Sequence, residues 1–157
     1  MKYYKPLTCI LGSLLALSAC ATTTLQLERK IGKPTYSALT NSTTVSVVKV
    51  AEVRKPPYTP EGNPQNLSTE QVSQLRELLL NDSSYNFNRI KRCLFIPEIS
   101  YQFSGDKNVN VYVSYSCKKI KIVSENNTNI IDYDPMAEKF NSFSKTIMKQ
   151  SNSTKSL

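Results

Sequence analysis

Apolar and polar residues alternate along two runs, 93–103 and 109–117. In the first, Cys93, Phe95, Pro97, Ile99, Tyr101 and Phe103 interleave with Glu98, Ser100 and Gln102. In the second, Val109, Val111, Val113, Tyr115 and Cys117 interleave with Asn110, Tyr112, Ser114 and Ser116. A period of two with one apolar face predicts two half-buried strands. Ser104, Gly105 and Asp106 are turn residues and predict a hairpin. Folding about Gly105 sets Tyr101 opposite Val109, Ile99 opposite Val111, Phe95 opposite Tyr115 and Cys93 opposite Cys117. A one-residue slip would set apolar side chains against polar ones throughout. The register chosen by hydrophobicity therefore brings the cysteines face to face and predicts a disulfide, the alternative being two buried thiols. The cysteines are 24 positions apart, so a bond there is worth roughly 3–3.5 kcal/mol in the chain-entropy account. Pro97 has no N–H, so its strand is predicted to be an edge or locally unpaired. Tyr112 falls on the polar face, where exposure is expected.

The same reading places other elements around the hairpin. Residues 43–53 (TTVSVVKVAEV) are rich in β-branched side chains and predict a strand. Its alternation slips at Val47-Val48, which predicts a bulge or burial on both faces. Pro56, Pro57, Pro60, Gly62 and Pro64 predict a loop that is neither helix nor central strand. Residues 68–80 predict a helix with Ser68 and Gln71 as a capping box and Val72, Leu75, Leu78 and Leu79 as its apolar stripe. Ile120 and Ile122 shift the parity, so a bulge, bend or strand break is expected at Lys118-Lys119. A turn over 125–129 and a short strand over 130–133 follow. Asp134-Pro135 reads as N-cap and first-turn proline of a last helix reaching about residue 149, with Met136, Phe140, Phe143 and Ile147 on one face. The expected class is α+β: a small antiparallel sheet of about three to five strands, two amphipathic helices on one face, and one disulfide-linked hairpin.

The first residues change the picture. Lys2 and Lys5 precede an apolar stretch, 7–17, too short to span a bilayer as a mature helix. Leu17-Ser18-Ala19-Cys20 then resembles the lipobox of bacterial lipoproteins; an ordinary secretory signal is the alternative. The resemblance implies cleavage before Cys20 and lipidation of its thiol. Several acyl chains make a stable anchor, since each buried CH₂ contributes about 0.8 kcal/mol. Ala21 stands where aspartate is the usual inner-membrane retention signal, so the outer membrane, facing the periplasm, is expected. Cys9 then leaves with the leader, and Cys93 and Cys117 remain as an even pair in an oxidising compartment. The expected organisation is a signal peptide over 1–19, a lipidated N-terminus and tether over 20–42, one α+β domain over 43–149, and a disordered tail over 150–157. Arg92-Cys93-Leu94-Phe95-Ile96-Pro97 with Ser116-Cys117 also resembles small bacterial envelope proteins, a resemblance that carries no activity.

Charge and chemistry narrow the function. The net charge is +8, with 20 basic and 12 acidic residues. The hairpin register gathers Arg89, Lys91, Arg92, Lys118, Lys119 and Lys121 beside the disulfide with no acidic residue among them. This is a candidate anion-binding patch for phosphate-bearing lipid head groups, lipopolysaccharide or another anionic envelope polymer; the plainer reading is a solvated sheet end that keeps the domain soluble. Nucleic acid is not expected as a partner of an exported, anchored protein. The chain has no histidine, which removes the commonest general base and metal ligand. A disulfide leaves no thiolate. Ser142-Phe143-Ser144-Lys145 and Ser116-Cys117-Lys118-Lys119 fit Ser-x-x-Lys but lack its companion motifs. Asp132, Asp134 and Glu138 form no calcium loop, since the glycine such a loop needs is missing. Tyr101, Phe103 and Tyr115 sit at strand spacing and read as core. No cofactor, metal site or catalytic residue is assigned. The expected function is a non-catalytic, membrane-anchored envelope lipoprotein that binds a partner protein or an anionic envelope glycan or lipid. The alternatives are an inhibitor or immunity protein acting on an envelope enzyme, and an enzyme that needs no histidine.

Overall fold

The computed structural model describes residues 25–52 and 55–153. The leader, the cut before Cys20 and the lipidation of Cys20 lie outside the described residues. The strands are β1 (Thr44–Val50), β2 (Pro60–Asn66), β3 (Ile99–Ser104), β4 (Val109–Ser114), β5 (Lys119–Ser124) and β6 (Asn127–Asp132). They form one antiparallel sheet in the order β2-β1-β3-β4-β5-β6. The helices are α1 (Gln26–Ile31), α2 (Lys33–Asn41), α3 (Thr69–Leu79) and α4 (Ala137–Ser153).

One face of the sheet is apolar because the apolar positions of β1, β3, β4 and β5 lie opposite one another in the ladders. Val45 and Val47 of β1, Ile99, Tyr101 and Phe103 of β3, Val109, Val111 and Val113 of β4, and Ile120 and Ile122 of β5 join a single buried cluster. The parity change expected between β4 and β5 is real. A tight turn over residues 115–118 absorbs it, with Lys118 at a positive φ of 49°, and Val113 then faces Ile120. All four helices add side chains to this cluster: Leu27 and Ile31, Leu39, Leu75 and Leu79, and Phe140 and Ile147. Tyr101 meets Phe140 edge-on at 5.9 Å, and its hydroxyl lies 2.7 Å from Ser144 Oγ.

The α3 capping box is present as expected: Gln71 N–H donates to Ser68 Oγ and Ser68 N–H to Gln71 Oε1. Arg76 on that helix donates from Nε to Leu39 O and from its guanidinium to Ser42 O. It thereby satisfies carbonyls left free at the end of α2.

Several expectations need correction. Among the described residues the sheet has six strands, not three to five, and there are four helices, not two. The tether expected over 20–42 is overturned for residues 26–41. These form α1 and α2, whose Leu27, Ile31 and Leu39 are fully buried. Short polar-looking segments hid an apolar spacing of four that only docking on the sheet rewards. The proline-rich loop contains β2, which is an edge strand. Proline is tolerated there because one side of the backbone needs no partner, and Gly62 supplies a φ of 91° beside the register shift of β1 between Val47 and Lys49. The disordered tail expected over 150–157 is corrected for residues 150–153, which belong to α4; residues 154–157 lie outside the described residues.

The hairpin register is also displaced. Tyr101 faces Val111 and Ile99 faces Val113, two residues from the expected pairs. A two-residue displacement keeps every side chain on its face, so the hydrophobic pattern could not detect it. The first strand of the hairpin begins at Ile99, and residues 91–97 lie outside any ladder.

Candidate functional site

Residues 86–97 form an arm across one end of the sheet. It starts where Asn86 N–H donates to Asp132 O, an isolated bridge to the end of β6. It ends where Glu98 N–H donates to Val113 O. Between these points no strand forms and burial does not alternate: residues 92–94 are all exposed, and Phe95 and Ile96 are both half-buried. Lys91, Phe95 and Pro97 turn towards the protein, while Ile90, Arg92 and Leu94 are exposed.

Three contacts hold the arm down. The first is the disulfide between Cys93 and Cys117, whose Cα atoms are 5.8 Å apart. It joins the arm to the β4–β5 turn. The bond expected from the sequence exists, but not as a directly opposed pair in a ladder. The second is Glu98, whose carboxylate accepts from Tyr115 N–H at 2.8 Å and Ser116 N–H at 3.5 Å and so fixes the turn that carries Cys117. The third is Lys91. Its ammonium lies 3.1 Å from Asp132 Oδ1 and 2.8 Å from Asp134 Oδ2, and it donates to Cys117 O at 3.5 Å. Lys91 is 17% exposed and Asp132 1%. A lysine this enclosed needs a carboxylate to offset its lost hydration.

The six cations expected near the disulfide fall into distinct settings. Arg89 and Lys118 join Lys91 on Asp134, at 2.7 Å and 3.7 Å. Lys119 donates to Lys91 O at 2.8 Å. Lys121 lies 5.1 Å from the ring centre of Tyr58, which stacks at a tilt on Tyr112 at 4.8 Å and Phe95 at 6.3 Å. Arg92 is exposed and forms no ion pair among the described residues. The Lys91 hydrogen bond, reinforced by the charges of Lys91, Arg89 and Lys118, holds the Asp134 carboxyl below its ordinary value.

The expectation of a cluster without acid therefore fails at Asp132 and Asp134. Asp134 was read as a helix cap, but its backbone N–H donates to Asp132 Oδ1 and its carboxylate goes to the cations. Antiparallel pairing brings Asp132 opposite Lys119, a signal available once β5 and β6 are paired correctly. Tyr112 is half-buried under Tyr58 rather than exposed, because the proline-rich segment folds back over the polar face.

The remaining candidates separate. Ser142 and Lys145 are both exposed on α4. The buried serine there is Ser144, which donates to Phe140 O. Ser116 is exposed, and the Lys119 ammonium bonds Lys91 O instead. No group of acidic or cysteine side chains suited to a metal ion occurs among the described residues. An open cavity of about 580 Å³ lies at the same sheet end, lined by Val50, Ile99, Tyr115 and Met148, by Ile96 and Pro97 of the arm, and by Lys49, Glu52 and Glu61. No described helix is long and apolar enough to cross a membrane.

No protein-family model, no curated protein and no solved structure matches this chain.

Proposed function

We propose that this chain is a non-catalytic lipoprotein of a bacterial envelope, anchored through Cys20 in the outer membrane and facing the periplasm. Its stapled end binds a partner there: an anionic envelope glycan or lipid, or a protein. The lipobox resemblance of Leu17-Ser18-Ala19-Cys20 supplies the anchor. The observation that carries the binding role is the charge balance at the arm, where six lysines and arginines stand against Glu98, Asp132 and Asp134. Asp134 binds three of the cations on their protein side. Arg92 and the outer faces of Arg89 and Lys118 are left to solvent, which favours an anionic ligand over a neutral one.

Mass spectrometry of the native protein tests the anchor: acyl mass on Cys20 is expected together with an intact Cys93–Cys117 link. Binding of the full-length protein to lipopolysaccharide and to phosphatidylglycerol vesicles tests the patch. Arg92→Glu with Lys118→Glu should weaken binding by at least about tenfold, since each cation near an anionic surface contributes about 1 kcal/mol. Wild-type protein that binds neither probe better than neutral vesicles refutes the anionic ligand.

A further inference from the structure

We infer that the arm itself lies on the phospholipid bilayer that anchors the chain, with Ile90 and Leu94 entering the head-group region and Arg89, Arg92 and Lys118 meeting lipid phosphates. The inference rests on lipidation at Cys20 and gives that anchor an orientation.

Three observations converge on this surface. First, the exposed side of the arm is apolar where a soluble surface would be polar. Ile90 is 92% exposed and Leu94 53%, and Arg92, between them in the chain, is exposed as well. An alternation of large aliphatic and basic side chains is the composition of interfacial segments. Second, the charge is complementary. A bilayer that contains phosphatidylglycerol is anionic, and Arg89, Arg92 and Lys118 are exposed on the arm side of the sheet end, while Glu52, Glu61 and Glu98, with Lys49, line the cavity next to it. The contact is therefore one-sided, confined to the half bearing β5, β6 and the arm.

Third, the chain enters the fold beside the arm. Asp82 accepts from Gln26 N–H at 2.7 Å and Leu27 N–H at 2.9 Å. Gln26 then lines one open depression together with Asn86, Asn88 and Arg89. Leu25, at the start of α1, is itself exposed. Cys20 is five positions before Leu25, a span of at most about 18 Å when fully extended. An acylated Cys20 in the bilayer therefore keeps this end of the domain within reach of the head groups. The opposite end, where Lys107 lies in the β3–β4 turn, is a full strand length further away. Tethering also raises the local concentration of lipid, so an individually weak contact is enough to set the orientation.

The chain contains no tryptophan, so one introduced tryptophan reports its own surroundings. Full-length acylated protein carrying Ile90→Trp is reconstituted in phosphatidylethanolamine–phosphatidylglycerol vesicles containing brominated acyl chains. Emission of the Ile90→Trp protein should fall at least about twofold and shift to shorter wavelength, whereas that of a Lys107→Trp protein, labelled at the far end, should be unaffected. Adding Arg92→Glu to the Ile90→Trp protein, or replacing phosphatidylglycerol with phosphatidylcholine, should restore most of the emission. Equal quenching of the two acylated tryptophan variants overturns the inference and leaves the anchor standing. Shielding of the Ile90→Trp indole in native membranes but not in lipid vesicles also overturns it, in favour of a protein partner. A native protein without acyl mass on Cys20 removes both the anchor and this orientation.

Discussion

The β3–β4 hairpin and the arm that leads into it share one sequence pattern and have different structures. The row of odd-numbered apolar residues runs on from the hairpin through Pro97, Phe95 and Cys93, but only the hairpin alternates in burial. In the hairpin, alternation accompanies a hydrogen-bonded ladder whose inward residues, among them Ile99, Tyr101 and Val111, are essentially without exposure. In the arm, Lys91, Phe95, Ile96 and Pro97 are wholly or partly buried and residues 92–94 are all exposed, and residues 91–97 pair with no strand. Alternation in burial therefore accompanies the ladder and is lost where the ladder ends. Pro97 ends any continuation of β3 by withholding a donor. The arm is held instead by a covalent link, a buried ion pair and a few single hydrogen bonds.

The two regions should respond differently to perturbation. Tyr101→Ala removes a fully buried ring, its contact with Phe140 and the partner of Ser144. It should cost about 3–5 kcal/mol of global stability in urea unfolding, with the amides of hairpin and arm weakened together. Replacing Cys93 and Cys117 by serine should cost about 3 kcal/mol. Hydrogen exchange should rise first in residues 89–97 and only later in β3 and β4. Equal rises in both would mean that arm and hairpin open as one unit.

Lys91→Met leaves the buried Asp132 without its cation and should cost about 2 kcal/mol, again with exchange concentrated in the arm. Asp134 sets a pH dependence of definite sign. Its carboxyl is held below the ordinary value, so its contribution is complete at neutral pH and is lost as the pH falls below about 4. Arm amides should loosen in that range before hairpin amides do, and Asp134→Asn should abolish the difference. Ile90→Ser makes the smallest change: in detergent, stability should move by less than about 0.5 kcal/mol, because the side chain touches little of the protein.

Much of the hairpin was legible from residue parity, as were the α3 cap at Ser68 and Gln71, the slip at Val47-Val48 and the change of parity around Lys118-Lys119. Each depends on residues close in sequence or on a face rule that holds in any register of the same parity. The register itself was missed by two residues for that reason, since the apolar faces match equally well in both. The candidate site was half legible. Arg89, Lys91, Arg92, Lys118, Lys119 and Lys121 follow from their nearness to the two cysteines. Asp132 and Asp134 do not, because their place among the cations depends on β6 pairing with β5 and on the arm crossing that edge. Tyr58 over Tyr112 and Lys121 was likewise invisible, being separated from both by two or more elements.

The sequence alone determined which side chains face the interior, where α3 begins and which two cysteines join, because hydrophobic periodicity and capping are local and the disulfide tolerates a small error of register. Only the tertiary structure decided that residues 26–41 are part of the core, that proline-rich β2 closes one edge, and that residues 91–97 form an arm rather than a strand. In each case the segment's own preference is weak, and burial against distant residues, or the lack of a backbone partner, settles its conformation.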